Sequence, residues 1–417
     1  MSGFSEDTLL ERVVEIYLKS GDFNGMGTAQ LTSPSDISIV RNLVSAGKLD
    51  IVRGDNHPNP HIKAFEADPI SEQLDKISND GLSGCLYPTR PTLLELGAGA
   101  NEAAPYTRAL MEGAPQLSFR VFDLRALEWY RNDPRFYFDV DDIHGRILQR
   151  EGTSIEDRAT VQDALEFFEF GFAYNDELNR AVAAFVRYLH DLPEALQIEM
   201  HKHELSGSYE LHPDFIRTQI LGEFPERLSI YDAFLLEKAE INRISKRIGK
   251  VPFFKTEFGE QKRPHGFGIL LRPTKKEFRD FALLLDQLLS DDINRDFFKG
   301  DIPITRSLTD ENGSTETHSI GTITLLKSWI GIKFKPSEPD PLEEMYKNFR
   351  FVRKARQKPA HRVEDNEFNQ KFVAEQRELI THAYDAVHTL RMILENHPLA
   401  GKDLVPDYLR KAKVWTM

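Results

Sequence analysis

Residues 340–362 read DPLEEMYKNFRFVRKARQKPAHR. Asp340 before Pro341, with acidic residues in the turn that follows, is typical of a helix start. Pro359 predicts the end of this helix, because proline cannot donate the backbone hydrogen bond that a helix interior requires. Between these points one face repeats apolar residues at helical spacing: Leu342, Met345, Phe349 and Val352. The stretch therefore predicts an amphipathic helix that packs against another part of the chain.

A second amphipathic helix is predicted over 367–395, and His397-Pro398 marks its end. Its apolar face comprises Phe372, Leu379, Ala383, Ala386, Leu390 and Ile393. Two helices with apolar faces and a short connection usually pack side by side in opposite directions. We therefore expect the end of the chain to form an antiparallel helical pair within a bundle.

The first of these helices and the connection after it carry seven basic residues and no acidic one between Met345 and Glu364. The whole chain has a net charge of −13, so a positive surface here is local. Such a charge also argues against a protein that coats nucleic acid with its entire surface. We predict that nucleic acid binds through Lys347, Arg350, Arg353, Lys354, Lys358 and Arg362, with Arg356 among them.

The connection itself reads Arg356-Gln357-Lys358-Pro359-Ala360-His361. An arginine and a histidine at this spacing, between two antiparallel helices, resemble the end of a HEPN domain. Members of that superfamily are small helical bundles that often form homodimers, and many cut RNA at the dimer interface. The resemblance implies that Arg356 holds or polarises a phosphate and that His361 transfers a proton to or from the 2′-hydroxyl or the leaving oxygen. It also implies that no metal or cofactor is required, and it suggests a role in bacterial stress or anti-phage defence.

Two further arginine–histidine pairs have a similar spacing, Arg377/His382 and Arg391/His397. A motif this short recurs by chance, so the count alone decides nothing. Arg356 and His361 are preferred because they lie at a helix junction inside the basic run. The alternative for this segment is a solvated basic helix face followed by a structural turn.

The N-terminal segment resembles a winged-helix module. Helices are predicted at Leu9–Leu18 and Ser35–Ala46, and extended runs at Leu49–Arg53 and His61–Phe65 are separated by turn-forming residues. In a winged-helix protein the second of these helices would read DNA, yet it carries a single base, Arg41. A protein-docking or purely structural role is therefore favoured over DNA binding.

A glycine-bearing turn at residues 93–100 resembles motif I of the S-adenosylmethionine-dependent methyltransferases. It follows a predicted strand at Thr92–Leu96, and a second predicted strand, at residues 118–122, precedes Asp123. The resemblance implies that Gly97 and Gly99 flank the cofactor, that Asp123 binds its ribose and that Asp139 lies near the adenine. A methyltransferase needs further strand–helix units, whereas the chain from Thr160 onward is predicted to be mainly helical. The stretch 162–172 is rich in phenylalanine, and helical periodicity marks 176–189, 229–248 and 275–289.

A group of histidines lies in the middle of the chain: His190, His201, His203 and His212, with Glu204. An imidazole pair two residues apart points to one side only on a strand, and this segment is predicted to be helical. The single cysteine, Cys85, lacks the partner that a disulfide or a thiolate zinc site needs, so we expect a buried thiol. Neither feature predicts a metal centre.

These patterns predict a mainly α protein with a minor β component, an α+β fold. We expect a winged-helix-like module at 1–90, a mixed and then mostly helical region at 91–335, and a HEPN-like helical bundle at 336–417. The sequence has neither a leader-like start nor a long uninterrupted apolar run, so we expect a cytoplasmic protein without a membrane partner. RNA binding or metal-independent RNA cleavage is the preferred function. A non-catalytic scaffold and an S-adenosylmethionine-dependent methyltransferase are the alternatives.

Overall fold

The computed structural model describes residues 4–152, 160–223, 227–258, 263–309, 315–335, 340–357, 365–401, 405–411 and 414–415. Helices hold 48% of the chain and strands 15%, so the predicted mainly helical α+β class is confirmed. The chain divides into two compact units, Met1–Asp176 with Ala181–His212, and Glu177–Arg180 with Pro213–Met417. The division into three regions remains a prediction. Across the described ranges, every helix is too short or too polar to cross a membrane.

The first unit begins with short helices around a small antiparallel sheet of strand order β1-β3-β2. The elements are α1 (Glu6–Lys19), β1 (Met26–Gly27), α2 (Pro34–Ser45), β2 (Leu49–Val52), α3 (Ile70–Asp80) and β3 (Cys85–Pro88). Ser5 and Ser33 cap α1 and α2 through capping boxes, which fixes where these helices start. The predicted helices and the strand at 49–52 are confirmed.

The strand predicted at His61–Phe65 is wrong. The partner of β2 is β3, whose four residues are all buried, including Cys85. In the 61–65 segment, the carbonyls of Lys63 and Ala64 instead accept single hydrogen bonds from the backbone N–H groups of Gln116 and Leu117, without a strand ladder. An all-apolar strand gains more from central pairing than a segment that follows two prolines. The winged-helix resemblance therefore stays a prediction, with β3 in place of the strand expected at 61–65.

The rest of the first unit contains a six-stranded sheet of order β4-β8-β7-β6-β5, with β9 added to β7. Its elements are α4 (Arg90–Glu95), α5 (Pro105–Met111), β4 (Phe119–Phe122), α6 (Glu128–Arg131), β5 (Phe136–Val140), β6 (His144–Gln149), β7 (Phe167–Tyr174), β8 (Arg180–Phe185), α7 (Val186–His190), α8 (Glu194–His201) and β9 (Glu210–Leu211). The strand predicted at 118–122 is confirmed. Most of the remaining predictions in this region are not.

The helical structure predicted across 162–172 and 176–189 is wrong, because β7 and β8 occupy most of these stretches. Phe168, Phe170 and Phe172 alternate along β7 and bury one face of the sheet. All six residues of β8 are buried, and a strand buried on both faces has no period that distinguishes it from a buried helix. The strand predicted at Thr92–Leu96 is also wrong, since this stretch lies largely in α4, which Thr89 caps.

The second unit is a bundle in which α14 packs along both α10 and α13, and α11 packs against α13 and α14. Its elements are α9 (Pro213–Ile216), β10 (Leu228–Ser229), α10 (Ile230–Arg247), α11 (Lys275–Asp286), β11 (Thr305–Thr309), β12 (Thr315–Ser319), α12 (Thr322–Lys333), α13 (Asp340–Arg356), α14 (Lys371–Glu395), α15 (Asp407–Arg410) and β13 (Val414–Trp415). The long helices predicted from residues 275, 340 and 367 are confirmed. Their apolar faces form one continuous core.

Buried charges connect the helices of this bundle. Glu237 of α10 is 0% exposed, and its carboxylate accepts hydrogen bonds from His388 at 2.8 Å and Arg391 at 2.5 Å, both on α14. Arg391, 2% exposed, also pairs with Glu395 at 2.7 Å. Each of these charges is compensated, as burial in an apolar core requires. The network fixes the position of α14 relative to α10.

A second charged cluster surrounds Asp301 beside α12. Its carboxylate forms ion pairs with Lys250 at 2.5 Å and Lys333 at 2.8 Å, and it accepts a hydrogen bond from Trp329 Nε1 at 2.7 Å. Burial by itself would raise the pKa of the Asp301 carboxyl, but these three donors outweigh it and hold the pKa well below its ordinary value. Asp301 is therefore ionised at neutral pH and ties α12 to the loops next to it.

Candidate functional site

The structure places Arg356 at the C-terminal end of α13. Lys358, His361 and Arg362, which complete the predicted site, lie outside the described residues. Helix α14 begins at Lys371 and packs along α13, so the two predicted helices and their contact are confirmed, while their antiparallel direction stays a prediction. The helix propensity and periodicity of the two segments account for this placement.

Arg356 donates to two carboxylates through the same nitrogen. Its Nη1 lies 3.0 Å from Asp286 Oδ2 and 2.5 Å from Asp291 Oδ2. Asp286 is the last residue of α11, and Asp291 ends the π-helical turn that continues from it. Nε and Nη2 of Arg356 have no hydrogen-bond partner in the part of the chain that the structure describes. One edge of the guanidinium is therefore anchored while the other is available to an acceptor.

Arg353 lies one turn earlier on α13 and shares the same acids. Its Nη2 is 2.5 Å from Asp291 Oδ1, and its Nε is 3.5 Å from Asp286 Oδ1. The hydrogen bonds that Arg356 donates to Asp286 and then to Asp291 raise the pKa of its guanidinium, which keeps it charged. Two arginines near two acids at the C-terminal end of a helix also offset the negative end of its dipole. We name Arg353, Arg356, Asp286 and Asp291 the arginine–aspartate quartet.

The remaining predicted bases on α13 differ in their surroundings. Lys347 pairs with Glu344 at 2.9 Å, which neutralises it locally. Arg350 and Lys354 are exposed and have no ion pair within 4.0 Å among the described residues. Because no described acid pairs with them, these two side chains carry unpaired positive charge on the outer, exposed face of α13. We name Arg350 and Lys354 the free basic pair.

Sequence reasoning missed His382 as a neighbour of the basic helix. Its Nδ1 lies 2.8 Å from Asn348 Oδ1, an amide oxygen that accepts a hydrogen bond from the ring. The imidazole centroid is 4.3 Å from that of Phe351, an exposed aromatic side chain of α13. The only sequence feature that pointed to His382 was its spacing from Arg377. That spacing gave no indication that the hydrogen-bond partner of His382 is Asn348 rather than an arginine.

Asp286 and Asp291 carry no signal in the sequence. They lie 70 and 65 positions before Arg356, and nothing in the local pattern of either residue points to an arginine partner. Only the packing of α11 against α13 brings them together. Contacts between residues so far apart in the sequence depend on the tertiary structure, so a short sequence motif cannot predict them.

The glycine turn of the methyltransferase alternative has a different setting from the one expected. Gly97 and Gly99 adopt left-handed backbone conformations, with φ of 71° and 74°, after helix α4 rather than after a strand. Asp123 caps a short 3-10 helix and pairs with Arg125 at 2.9 Å, and Asp139 pairs with an arginine of β6. A glycine that ends a helix is a common cap, so these residues have a structural explanation.

The histidine group is dispersed over the first unit. His201 Nδ1 is 2.8 Å from Glu204, His190 Nδ1 is 3.0 Å from the Thr107 hydroxyl, and His212 is buried. Among the residues that the structure describes, no three histidine, cysteine or acidic side chains are placed to hold a metal ion. These histidines form pairwise contacts with their neighbours.

The arrangement that remains as a candidate site is the end of α13, with its anchored arginine, the free basic pair and the start of the connection to α14. Positive side chains with unused donors suit an oxyanion such as a phosphodiester. Comparisons with protein-family models, with curated proteins and with solved structures gave no match.

Proposed function

We propose that this protein binds RNA through the outer face of α13 and cleaves it without a metal, in the manner of HEPN ribonucleases. In this proposal Arg356 holds the scissile phosphate and His361 moves a proton at the 2′-hydroxyl or the leaving oxygen. The observation that carries the proposal is the anchoring of Arg356 through Nη1 alone, which leaves Nε and Nη2 without a partner among the described residues. Two parallel donors on a guanidinium match two oxygens of a phosphate.

The chemistry needs few groups. The 2′-hydroxyl attacks the adjacent phosphorus, the bond to the 5′ oxygen of the next nucleotide breaks, and a 2′,3′-cyclic phosphate forms. A histidine can accept or supply the proton that moves in this exchange, and a fixed arginine stabilises the additional negative charge on the phosphoryl oxygens. Hydrogen bonds to two carboxylates keep the Arg356 guanidinium charged and oriented before substrate binds.

Electrostatics favour RNA over a neutral ligand at this surface. Arg350 and Lys354 have no described ion pair, so a polyanion can bind them without first displacing an acidic partner. Binding then releases counterions from the nucleic acid and becomes weaker as the salt concentration rises. The same resemblance leads us to propose a homodimer, in which each copy supplies one motif to a shared cleft, acting in the bacterial cytoplasm during stress or phage infection.

The proposal is tested by incubating purified protein with total RNA in EDTA. The set comprises the wild type, Arg356→Ala, His361→Ala and the control His397→Ala, which alters a second arginine–histidine pair instead. We expect the wild type and the control to cut RNA and the other two variants to lose cleavage. Binding of RNA without any cleavage would contradict the catalytic part and favour a non-catalytic scaffold. Size-exclusion chromatography with light scattering tests the dimer on the same samples.

A further inference from the structure

The Asp291 carboxylate bridges two guanidinium groups. Its Oδ1 accepts from Arg353 Nη2 and its Oδ2 from Arg356 Nη1, each at 2.5 Å. A carboxylate that spans two arginines through its two oxygens has the contacts that two non-bridging phosphoryl oxygens would make. The two arginines are therefore already spaced to bind a planar or tetrahedral oxyanion, and a side chain of the same chain occupies that position.

The other acid of the quartet has a different environment. Asp286 is 0% exposed, whereas Asp291 is 42% exposed. Asp286 Oδ2 accepts from Arg356 at 3.0 Å, and its Oδ1 has no hydrogen-bond partner in the described part of the chain. A buried carboxylate cannot exchange its arginine for water without a large desolvation cost. Asp286 is therefore fixed, while Asp291 can turn into solvent at little cost.

We propose that Arg353 and Arg356 form a two-arginine phosphate site in which Asp291 is the resting occupant and Asp286 is the permanent support. This inference rests on the proposed function, because the phosphate it describes belongs to RNA; it is a second phosphate, distinct from the scissile one that Nε and Nη2 of Arg356 hold. On binding, the phosphate replaces the Asp291 carboxylate between the arginines and Asp291 becomes hydrated. Asp286 keeps Arg356 in place during the exchange. Asp291 thus lowers the affinity of the empty site for anions and selects ligands that offer two oxygens at once.

The position of Asp291 suits this exchange. It is the last residue of the π-helical turn Gln287–Asp291, a rare conformation that occurs often at functional sites. Among the described residues, its carboxylate pairs with the two arginines and with no group of the helical turn that it ends. Removing the negative charge of Asp291 is therefore expected to change the affinity for an anion between Arg353 and Arg356, with little effect on packing.

The test compares three single charge removals: Asp291→Asn, Asp286→Asn and the control Asp280→Asn, which lies on the exposed side of α11 and pairs with Lys276. Affinity is measured for inorganic phosphate by calorimetry and for a short single-stranded RNA by fluorescence anisotropy, at one salt concentration. We expect Asp291→Asn to bind phosphate about tenfold more tightly, since it removes a competing charge-assisted contact. Asp286→Asn is expected to bind it more weakly, and Asp280→Asn to match the wild type.

An equal increase in phosphate affinity in Asp291→Asn and Asp286→Asn would overturn the inference, because the two acids would then affect binding only through their overall negative charge. An unchanged phosphate affinity in Asp291→Asn would overturn it as well. If Asp286→Asn does not fold, the comparison of Asp291→Asn with Asp280→Asn still decides the role of the resting occupant. Tighter phosphate binding without RNA cleavage would leave this inference standing and refute the nuclease, so the two failures are distinguishable.

Discussion

Replacing Glu237 by glutamine removes the buried charge that fixes the position of α14 relative to α10. Glu237 is 0% exposed and accepts hydrogen bonds from both His388 and Arg391. Glutamine has nearly the same shape, so the substitution leaves packing intact and changes the charge and one acceptor. Arg391, 2% exposed, would then retain Glu395 at 2.7 Å as its remaining carboxylate partner.

The magnitude follows from the burial of both partners. Breaking a buried ion pair by removing one partner costs about 3–5 kcal/mol, because the other charge remains without full compensation. Glu395 still neutralises part of the Arg391 charge, and the glutamine oxygen still accepts one hydrogen bond. We therefore expect Glu237→Gln to lower the free energy of unfolding of the second unit by about 3 kcal/mol, at the low end of that range.

The matched control is Lys276→Gln, which breaks an exposed pair with Asp280 on α11. Exposed pairs contribute less than about 1 kcal/mol, so this variant should resemble the wild type. Urea unfolding gives the overall effect, and hydrogen exchange of peptides from α10 and α14 localises it to the second unit. Equal stability of Glu237→Gln and Lys276→Gln, with unchanged exchange in α14, would refute the account of the network.

Three further predictions test other parts of the structure. Because the pKa of Asp301 is lowered in the folded protein, its ion pairs stabilise the fold above the unfolded-state pKa of about 3.9, and this stabilisation is lost progressively as the pH falls below that value. Between about pH 5 and about pH 3, Asp301→Asn should therefore lose less stability than the wild type, measured by urea unfolding. A Cβ at Gly145 would lie 2.5 Å from a buried phenylalanine ring, so Gly145→Ala should cost about 1–3 kcal/mol in thermal unfolding, whereas Gly54→Ala, with open space around it, should cost nothing. Arg350→Ala and Lys354→Ala should each weaken RNA binding regardless of base sequence and reduce the slope of log affinity against log salt by about 1 in anisotropy titrations.

The helices of the second unit could be predicted from the sequence because their signals are local. Asp340 with Pro341 marks the start of α13, and the apolar repeats of α13 and α14 fix which faces pack together. The same reasoning located Arg356 at the end of a helix, inside a basic run. Caps, periodicity and charge lie within a few residues of one another, so one sequence is enough to read them.

The central sheet could not be predicted in the same way. Strand β8 is buried on both faces, and the phenylalanines of β7 fit a buried helix as well as a strand until the partners are known. Thr92–Leu96 reads as an apolar strand, yet the Thr89 cap and the proline after it favour helix α4. Competition between local signals of similar strength is settled by tertiary packing.

The candidate site was predictable only in part, for a related reason. The basic residues of α13 are visible in the sequence, but whether each is paired depends on distant residues. Asp286 and Asp291 bind Arg353 and Arg356, whereas Arg350 and Lys354 remain without described partners. A run of like charges therefore predicts a surface, and only the fold separates its anchored arginines from its free ones.

The central claim is that Arg356 and His361 cleave RNA through its own 2′-hydroxyl. The most direct measurement incubates the protein in EDTA with a short single-stranded RNA and with the DNA of the same sequence, and identifies the ends of any product by mass spectrometry. The account predicts that the RNA is cut to 2′,3′-cyclic phosphate ends, that the DNA stays intact, and that Arg356→Ala and His361→Ala both abolish the reaction. Cleavage of the DNA, or RNA cleavage that survives in both variants, would contradict it.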